Sequence, residues 1–233
     1  MKAIYVVVFI VAATLSGCRD AGDTTVKPRN NKPFVTPEVG DSRPKLIAFG
    51  DSLTAGFGLA EDESYPFLLQ KKLDSDGLKF QVINAGVSGD TTLGGLERVD
   101  WVLDEENVSV MILELGANDL LRGIPVAQMR FNLEAIIKKA QAKGVIVLLC
   151  GMLAPDTMGK QYQEEFIAVY PDLAKKYGLK FLPFILEGVA LNPKLNQADG
   201  IHPNAEGEKI MTENVYRALK PMLLEEVSSE TAK

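Results

Sequence analysis

The sequence is poor in histidine and cysteine, with one His and two Cys among 233 residues. His202, Cys18 and Cys150 cannot supply the ligands of an ordinary zinc site, and no Gly-rich phosphate-binding motif is complete, so we expect no metal and no cofactor. Basic residues are also in the minority, since 25 Lys and Arg stand against 31 Asp and Glu. We expect no nucleic-acid partner, because such partners bind to basic surfaces.

No apolar run is long enough to span a membrane. The run over residues 3–15 has 13 residues, where about 20 are needed. It follows the charged Lys2 and ends in Leu15-Ser16-Gly17-Cys18, which is typical of an export signal over residues 1–17. This ending resembles the lipobox of bacterial lipoproteins, which implies a lipid on Cys18 and anchoring to the periplasmic or extracellular face of a bacterial membrane. An ordinary export signal with an incidental cysteine is the alternative.

Residues 18–43 show no sustained periodicity and are rich in polar residues and proline, so we expect a lipidated N-terminus followed by a flexible tether. Residues 44–233 form the expected folded domain, which is long enough for one α/β core. If Cys18 carries a lipid, Cys150 has no partner for a disulfide.

Strand-like and helix-like segments alternate along this domain. Apolar stretches predict strands over 45–49, 80–84, 108–115, 145–149 and 179–185. Helical spacing predicts helices over 64–73, 92–103, 125–143, 161–176 and from the loop at 199–203 to about 226. Pro171 is expected to kink or break the fourth of these helices. The alternation predicts an α/β fold with a parallel sheet.

Several polar or glycine-marked turns follow directly after predicted strands. Ser52 comes after the first strand, Gly89 after the second and Asn118 after the third. Because the carboxyl ends of parallel strands meet at one edge of a sheet, we expect these residues and the turn at Gly151 to lie together. For the first turn alone, an equally good interpretation is a helix start with Asp51 or Ser52 as the N-cap.

His202 follows Asp199 by three residues in a loop that contains glycine and proline. A lone histidine is more often structural than catalytic. A serine hydrolase, however, needs a base and a group that orients the base, and this loop offers both. Since His202 is the one histidine, it is also the expected source of any loss of activity as the pH falls below neutrality.

Four short motifs together resemble the blocks of the GDSL, or SGNH, hydrolases. They are Gly50-Asp51-Ser52-Leu53, Ser88-Gly89-Asp90-Thr91, Gly116-Ala117-Asn118-Asp119 and Asp199-Gly200-Ile201-His202-Pro203. The second and third are most similar to the bacterial branch that contains thioesterase I/lysophospholipase and the arylesterases. The resemblance implies a flavodoxin-like three-layer α/β/α sandwich with a five-stranded parallel sheet in the order 2-1-3-4-5.

The same resemblance implies roles for individual residues. Ser52 would be the nucleophile, His202 the base and Asp199 the group that orients it. The oxyanion hole would comprise the backbone N–H groups of Ser52 and Gly89 and the side-chain amide of Asn118. A competing nucleophile, Ser88, is disfavoured, because the elbow motif of α/β-hydrolases needs glycine where this chain has Asp90.

The sequence therefore predicts a serine esterase that hydrolyses esters or thioesters of acyl chains through an acyl-enzyme. One alternative is deacetylation of a polysaccharide or cell-wall sugar, and another is a non-catalytic lipid-anchored binding protein. Some apolar residues beside the site turns could line an acyl groove or could equally fill the core. They are Leu120, Leu121, Ile124, Leu153 and Met158.

Replacing the lipobox cysteine tests the anchoring. We expect Cys18→Ala to release the protein from membranes, since an export signal alone specifies secretion. Membrane fractionation after a salt wash and mass spectrometry of the mature N-terminus are the measurements. Membrane retention of the variant, or an unmodified Cys18 in the wild-type protein, would contradict lipidation.

Overall fold

The computed structural model describes residues 41–231, so the expected export signal, Cys18 and nearly all of the expected tether lie outside the described residues. The described part contains one five-stranded parallel sheet in the order β2-β1-β3-β4-β5. The strands are β1 (Lys45–Gly50), β2 (Gln81–Gly86), β3 (Val108–Glu114), β4 (Ile146–Cys150) and β5 (Lys180–Leu182). The predicted parallel sheet and strand order are confirmed.

Helices connect the strands and cover both faces of the sheet. They are α1 (Ser52–Ala55), α2 (Tyr65–Ser75), α3 (Thr92–Leu103), α4 (Ala117–Leu121), α5 (Val126–Ala142), α6 (Lys160–Tyr177) and α7 (Ala205–Thr231). Short 3₁₀ turns lie at Glu61–Glu63 and Asp156–Met158. Right-handed crossovers place α2 on one face of the sheet and α3, α5 and α6 on the other. The observed packing agrees, because α2 contacts α7, while α5 contacts both α3 and α6.

Burial explains why the central strands are almost wholly apolar. All six residues of β1 are buried, as are the last five residues of β3. A parallel strand with helices on both faces has no solvent side, so it lacks the alternation of an amphipathic strand. Cys150, at the end of β4, is a buried free thiol. Within residues 41–231, no helix has the length and apolar character needed to cross a membrane.

Two elements differ from the sequence-based expectation. α6 continues from Lys160 to Tyr177 without a break at Pro171. Pro171 is exposed, and its ring removes only one helical hydrogen bond, the one that the carbonyl of Ile167 would accept in a regular helix. The fifth strand is only three residues long, because Pro183 follows it and has no N–H to continue the hydrogen-bond ladder.

A buried carboxyl joins the last helix to the start of α2. Ser64 precedes α2 but its side chain makes no capping hydrogen bond. Instead, Glu208 of α7 accepts the Tyr65 N–H at 2.8 Å through its Oε2. Burial raises the pKa of Glu208 to about 8. The carboxyl is therefore mostly protonated at neutral pH and still accepts this hydrogen bond through its oxygen.

The raised pKa of Glu208 makes stability depend on pH. Between its ordinary value of 4.5 and about 8, the folded protein holds a proton that the unfolded chain releases, so this group lowers stability as the pH rises. We expect Glu208→Gln, which keeps an acceptor for Tyr65, to flatten the fall in thermal midpoint across that range. Melting curves at pH 5, 7 and 8.5 measure it, and parallel curves for both proteins would contradict the assignment.

Candidate active site

The structure brings the predicted turns to one edge of the sheet. Ser52 is the first residue of α1 and follows β1, whereas Asn118 lies in α4 and follows β3. Gly89 lies in the turn between β2 and α3, and His202 lies in the loop before α7. The predicted loop at Gly151 follows β4 on the same edge.

A continuous chain of hydrogen bonds joins three of the predicted residues. The Nε2 atom of His202 lies 2.8 Å from Ser52 Oγ. On the other side of the ring, Nδ1 lies 2.8 Å from Asp199 Oδ2. A hydroxyl, an imidazole and a carboxylate in this order form the arrangement in which a base can deprotonate the serine while the carboxylate orients that base.

The loop that carries His202 is shaped by Asp199 itself. Asp199 Oδ1 accepts the backbone N–H groups of Ile201 and His202, each at 3.0 Å, while Oδ2 contacts the imidazole. The His202 hydrogen bond is the main reason that the pKa of Asp199 falls to about 2. Asp199 is therefore ionised throughout the neutral range. Its side chain is 38% exposed, so water also stabilises the charge.

Two residues that the sequence analysis did not single out contact the imidazole or the loop that carries it. The Phe57 ring lies 4.6 Å from the His202 ring, centroid to centroid. Gln197 Nε2 donates to the backbone carbonyls of Phe57 and Pro203, at 2.6 and 2.9 Å. Gln197 thus links the segment after Ser52 to the histidine loop.

Glycines allow α1 to pack closely on the strand ends. Gly50 and Gly86 lie side by side in the register of β1 and β2. A Cβ at Gly50 would lie 2.1 Å from Thr54 Oγ1, and a Cβ at Gly86 would lie 2.3 Å from the Ala55 nitrogen. Any larger residue would push the short helix, and Ser52 with it, away from the sheet.

The aspartate before Ser52 is buried and contacts the predicted oxyanion residue. Asp51 is 1% exposed, caps α1 by accepting the Leu53 N–H at 3.1 Å, and accepts Asn118 Nδ2–H at 3.0 Å. The N-cap interpretation of this turn is therefore confirmed alongside the contact between Ser52 and His202. Burial raises the pKa of Asp51 to about 6.

Asp51 changes one expectation drawn from the single histidine. A group with a pKa of about 6 loses its charge in the same range in which an ordinary imidazole gains one. Asp51 is therefore a second candidate for the source of an acid limb in the activity profile, and the assignment of that limb to His202 stays a prediction.

A second buried carboxyl lies beneath the first turn of α1. Glu114, at the end of β3, is completely buried, and its Oε2 accepts the Thr54 hydroxyl at 2.8 Å and the Asp51 N–H at 3.3 Å. Thr54 Oγ1 also lies 3.3 Å from the Tyr65 hydroxyl. Burial and the neighbouring Asp51 raise the pKa of Glu114 well above its ordinary value.

One arginine fixes the two strand ends next to Ser52. Arg98 of α3 donates to the carbonyls of Gly50 and Ala85, at 3.0 and 2.9 Å, and forms an ion pair with Asp90 at 2.6 Å. Its guanidinium also lies over the Phe49 ring, 4.0 Å from the centroid. Arg98 thereby ties the exit of β1 to the exit of β2.

Gly89 reaches the neighbouring turn through its carbonyl group. It adopts a φ of +87°, a conformation that favours glycine, and its oxygen accepts from Arg122 Nη2 at 2.6 Å. Arg122 directly follows α4, the helix that carries Asn118. The turn that holds Gly89 and the turn that holds Asn118 are thus bonded to each other.

The apolar candidates for an acyl groove divide into two groups. Leu121, Leu153 and Met158 are 64%, 45% and 40% exposed, so these side chains do not fill the core. Leu120 is partly buried and packs against the core, and Ile124 is also partly buried. Among the residues that the structure describes, no cluster of His, Cys, Asp or Glu could hold a metal ion.

Comparison with known proteins agrees with this geometry. Residues 48–210 match the GDSL-like lipase/acylhydrolase family. The chain is 42% identical over 178 residues to the esterase TesA of Pseudomonas aeruginosa, which covers 76% of this chain and 89% of that protein. It is 36% identical to the thioesterase 1/protease 1/lysophospholipase of Escherichia coli, over 76% of this chain and 84% of that one. A crystal structure of TesA, 42% identical, superposes with a TM-score of 0.73 over 76% of this chain and 98% of that structure.

The chain belongs to the GDSL-like lipase/acylhydrolase family. It is therefore a serine esterase of the SGNH type, and the expected fold and reaction class are confirmed. The roles of individual side chains in this SGNH esterase stay predictions. Of the residues in its site, Asp51 belongs to the first of the four sequence motifs but was given no role beyond a possible cap, whereas Phe57, Gln197 and Arg98 carried no signal of a role.

Removing the charge of Asp199 tests whether it supports the histidine. In Asp199→Asn the imidazolium loses its charge partner, so the acid limb of the pH–rate profile should move to lower pH. The plateau rate should fall at least about tenfold, because the ring also loses the group that selects its tautomer. Asparagine keeps an oxygen for the loop N–H groups, so the thermal midpoint should change little. An unmoved limb with an intact plateau would exclude the pairing.

Proposed function

We propose that this esterase cleaves esters and thioesters of acyl chains through an acyl-enzyme on Ser52. The single observation that carries the proposal is the hydrogen-bonded chain from Ser52 Oγ through the imidazole of His202 to Asp199, with 2.8 Å at each step. The names of the relatives, an esterase and a thioesterase/lysophospholipase, support this range of substrates.

The first half of the reaction forms the acyl-enzyme. His202 Nε2 takes the proton of Ser52 Oγ as the oxygen bonds to the carbonyl carbon of the substrate. The imidazolium that results is stabilised by ionised Asp199, which accepts the hydrogen bond from Nδ1–H and keeps its negative charge. His202 then gives its proton to the leaving oxygen or sulfur as the bond from that atom to the carbonyl carbon breaks.

The second half of the reaction repeats these steps with water. His202 takes a proton from the water molecule as its oxygen bonds to the acyl carbon. The bond between that carbon and Ser52 Oγ then breaks, and the serine recovers the proton from the imidazolium. The products are a carboxylic acid and an alcohol or thiol, and the enzyme returns to its starting state.

Charge develops on the carbonyl oxygen in both halves of the reaction. The donors proposed for it are the backbone N–H groups of Ser52 and Gly89 and the side-chain amide of Asn118. Their positions after three adjacent strands, β1, β2 and β3, support this assignment, since the three turns lie at one edge of the sheet. Such donors contribute most when they meet charge that exists only in the transition state.

Exposed apolar side chains support an acyl chain as the part of the substrate that the enzyme holds. Leu121 follows Asn118 by three residues, and Leu153 and Met158 lie in the segment after β4. We also propose that the domain works at a membrane surface, anchored through Cys18, on the evidence of the N-terminal sequence.

A substrate series tests the proposal. We expect turnover of p-nitrophenyl esters and acyl thioesters to rise with chain length beyond acetate, and an acetylated sugar to be a poor substrate. Ser52→Ala should abolish turnover, and Asn118→Ala should lower kcat by roughly 10²–10³ with a smaller change in KM. A preference for the acetylated sugar would favour a deacetylase instead. No turnover of any of these substrates would favour a binding protein.

A further inference from the structure

We propose that Gln197 is a positioning residue for the base, because its side-chain amide holds the loop that carries His202 against the segment that follows Ser52. The inference rests on the role proposed above for His202. The contacts that carry it are two hydrogen bonds from one nitrogen, since Gln197 Nε2 donates to the backbone carbonyls of Phe57 and Pro203, at 2.6 and 2.9 Å.

The base and the nucleophile belong to segments that lie far apart in the sequence. Ser52 and His202 are 150 residues apart, and the hydrogen bonds of Asp199 hold the imidazole relative to its own loop. The contact between His202 Nε2 and Ser52 Oγ changes during the reaction, because the proton leaves the serine and the oxygen bonds to the substrate. A contact that takes no part in the chemistry can keep the distance between the two segments constant throughout.

Gln197 also closes the loop that carries the base. Its backbone N–H donates to the carbonyl of His202 at 2.8 Å, and its own carbonyl accepts the Gly200 N–H at 3.0 Å. Asn196 and Pro203 form an antiparallel bridge directly beside it. The loop is thus tied together at both ends, so a displacement of Gln197 moves the whole loop, and the imidazole with it.

The contact requires the nitrogen end of an amide. Backbone carbonyls accept hydrogen bonds and donate none, so the two carbonyls attract the two N–H groups of the glutamine side chain and repel its oxygen. The oxygen end lies beside Gly58, where a Cβ would lie 2.4 Å from Gln197 Oε1. The absence of a side chain at Gly58 therefore leaves room for the amide in the orientation that serves both carbonyls.

The same contact places an aromatic ring against the imidazole. Gln197 holds the carbonyl of Phe57, and the Phe57 ring lies 4.6 Å from the His202 ring, centroid to centroid, at an interplanar angle of 36°. The imidazole thus contacts a ring whose backbone is bonded to its own loop. A displacement of about 1 Å in a catalytic arrangement can lower turnover about 10²-fold, so the fixed position has a direct effect on rate.

A double-mutant cycle with p-nitrophenyl esters tests the proposal. Gln197→Met preserves the length of the side chain but removes both N–H donors. We expect kcat to fall about tenfold or more, with KM changed much less, because the substitution alters the position of the base and leaves the acyl site intact. The variant His202→Ala should retain a small turnover from binding and the oxyanion hole. In that background Gln197→Met should have almost no further effect, because the group that it positions is absent.

The single histidine provides a spectroscopic readout. In isotope-labelled protein without a histidine tag, the Cε1–H group of His202 gives one NMR signal, which should broaden or split in Gln197→Met because the ring samples more than one position. The acid limb of the pH–rate profile should keep its place, because Asp199 still contacts the ring. This outcome separates loss of position from loss of the charge partner, which moves the limb in Asp199→Asn.

Gln141→Met is the matched control. Gln141 Nε2 donates to the carbonyl of Tyr177 at 3.0 Å, so the substitution removes the same kind of hydrogen bond. This contact lies where α5 and α6 end, whereas the site lies at the edge where they begin. We expect the kcat of the wild type and an unchanged His202 signal in this variant.

Gly58→Ala disturbs the same amide from its oxygen side, since the added Cβ would displace Gln197 Oε1. It should lower kcat in the same way, and it carries the cycle with His202→Ala should Gln197→Met not fold. Losses that simply add to that of His202→Ala, or an unchanged kcat in both variants, would overturn the proposal while leaving the esterase mechanism intact. Full turnover by His202→Ala would overturn the assignment of the base itself, and this inference with it.

Discussion

The close approach of α1 to the ends of β1 and β3 is the constraint on which the rest of the site depends. Without a side chain at Gly50, Thr54 and Glu114 meet directly above the strand, where a Cβ would lie 2.1 Å from the threonine oxygen. Thr54 and the Asp51 N–H share one oxygen of Glu114, so the backbone on both sides of Ser52 is fixed to β3. The nucleophile is thereby positioned by hydrogen bonds to the neighbouring strand rather than by its own side chain.

This arrangement places two carboxyl groups in one buried volume, where both cannot easily carry a charge. Asp51 is held by the N–H of Leu53 and the amide of Asn118, whereas one oxygen of Glu114 has no hydrogen-bond partner among the described residues. The buried, unpartnered oxygen disfavours a charge on Glu114, whereas both oxygens of Asp51 accept hydrogen bonds that favour a charge there. Keeping that charge buried lowers stability, which is a common cost of an organised active site.

Much of the fold and the reacting groups could be predicted from the sequence, because both follow from short local patterns. Apolar runs gave the strands, and the turns after them contained Ser52, Gly89 and Asn118. The length of β5 depended on a proline that follows it, and the continuity of α6 depended on which face Pro171 occupies. The part played by Asp51 could not be predicted, because it needs the distance between residues 67 positions apart.

The contacts that build the site therefore join residues at very different separations along the sequence. Asp199 and His202 are three residues apart, and three of their hydrogen bonds lie within one exposed loop. The pairs Asp51–Asn118 and Ser52–His202 join residues 67 and 150 positions apart, so they exist only when the sheet is complete. Ordering of long-range contacts is entropically more costly than ordering of a short loop. Loosening of the sheet edge should consequently disturb the Asp51–Asn118 and Ser52–His202 contacts before it disturbs the contact between His202 and Asp199.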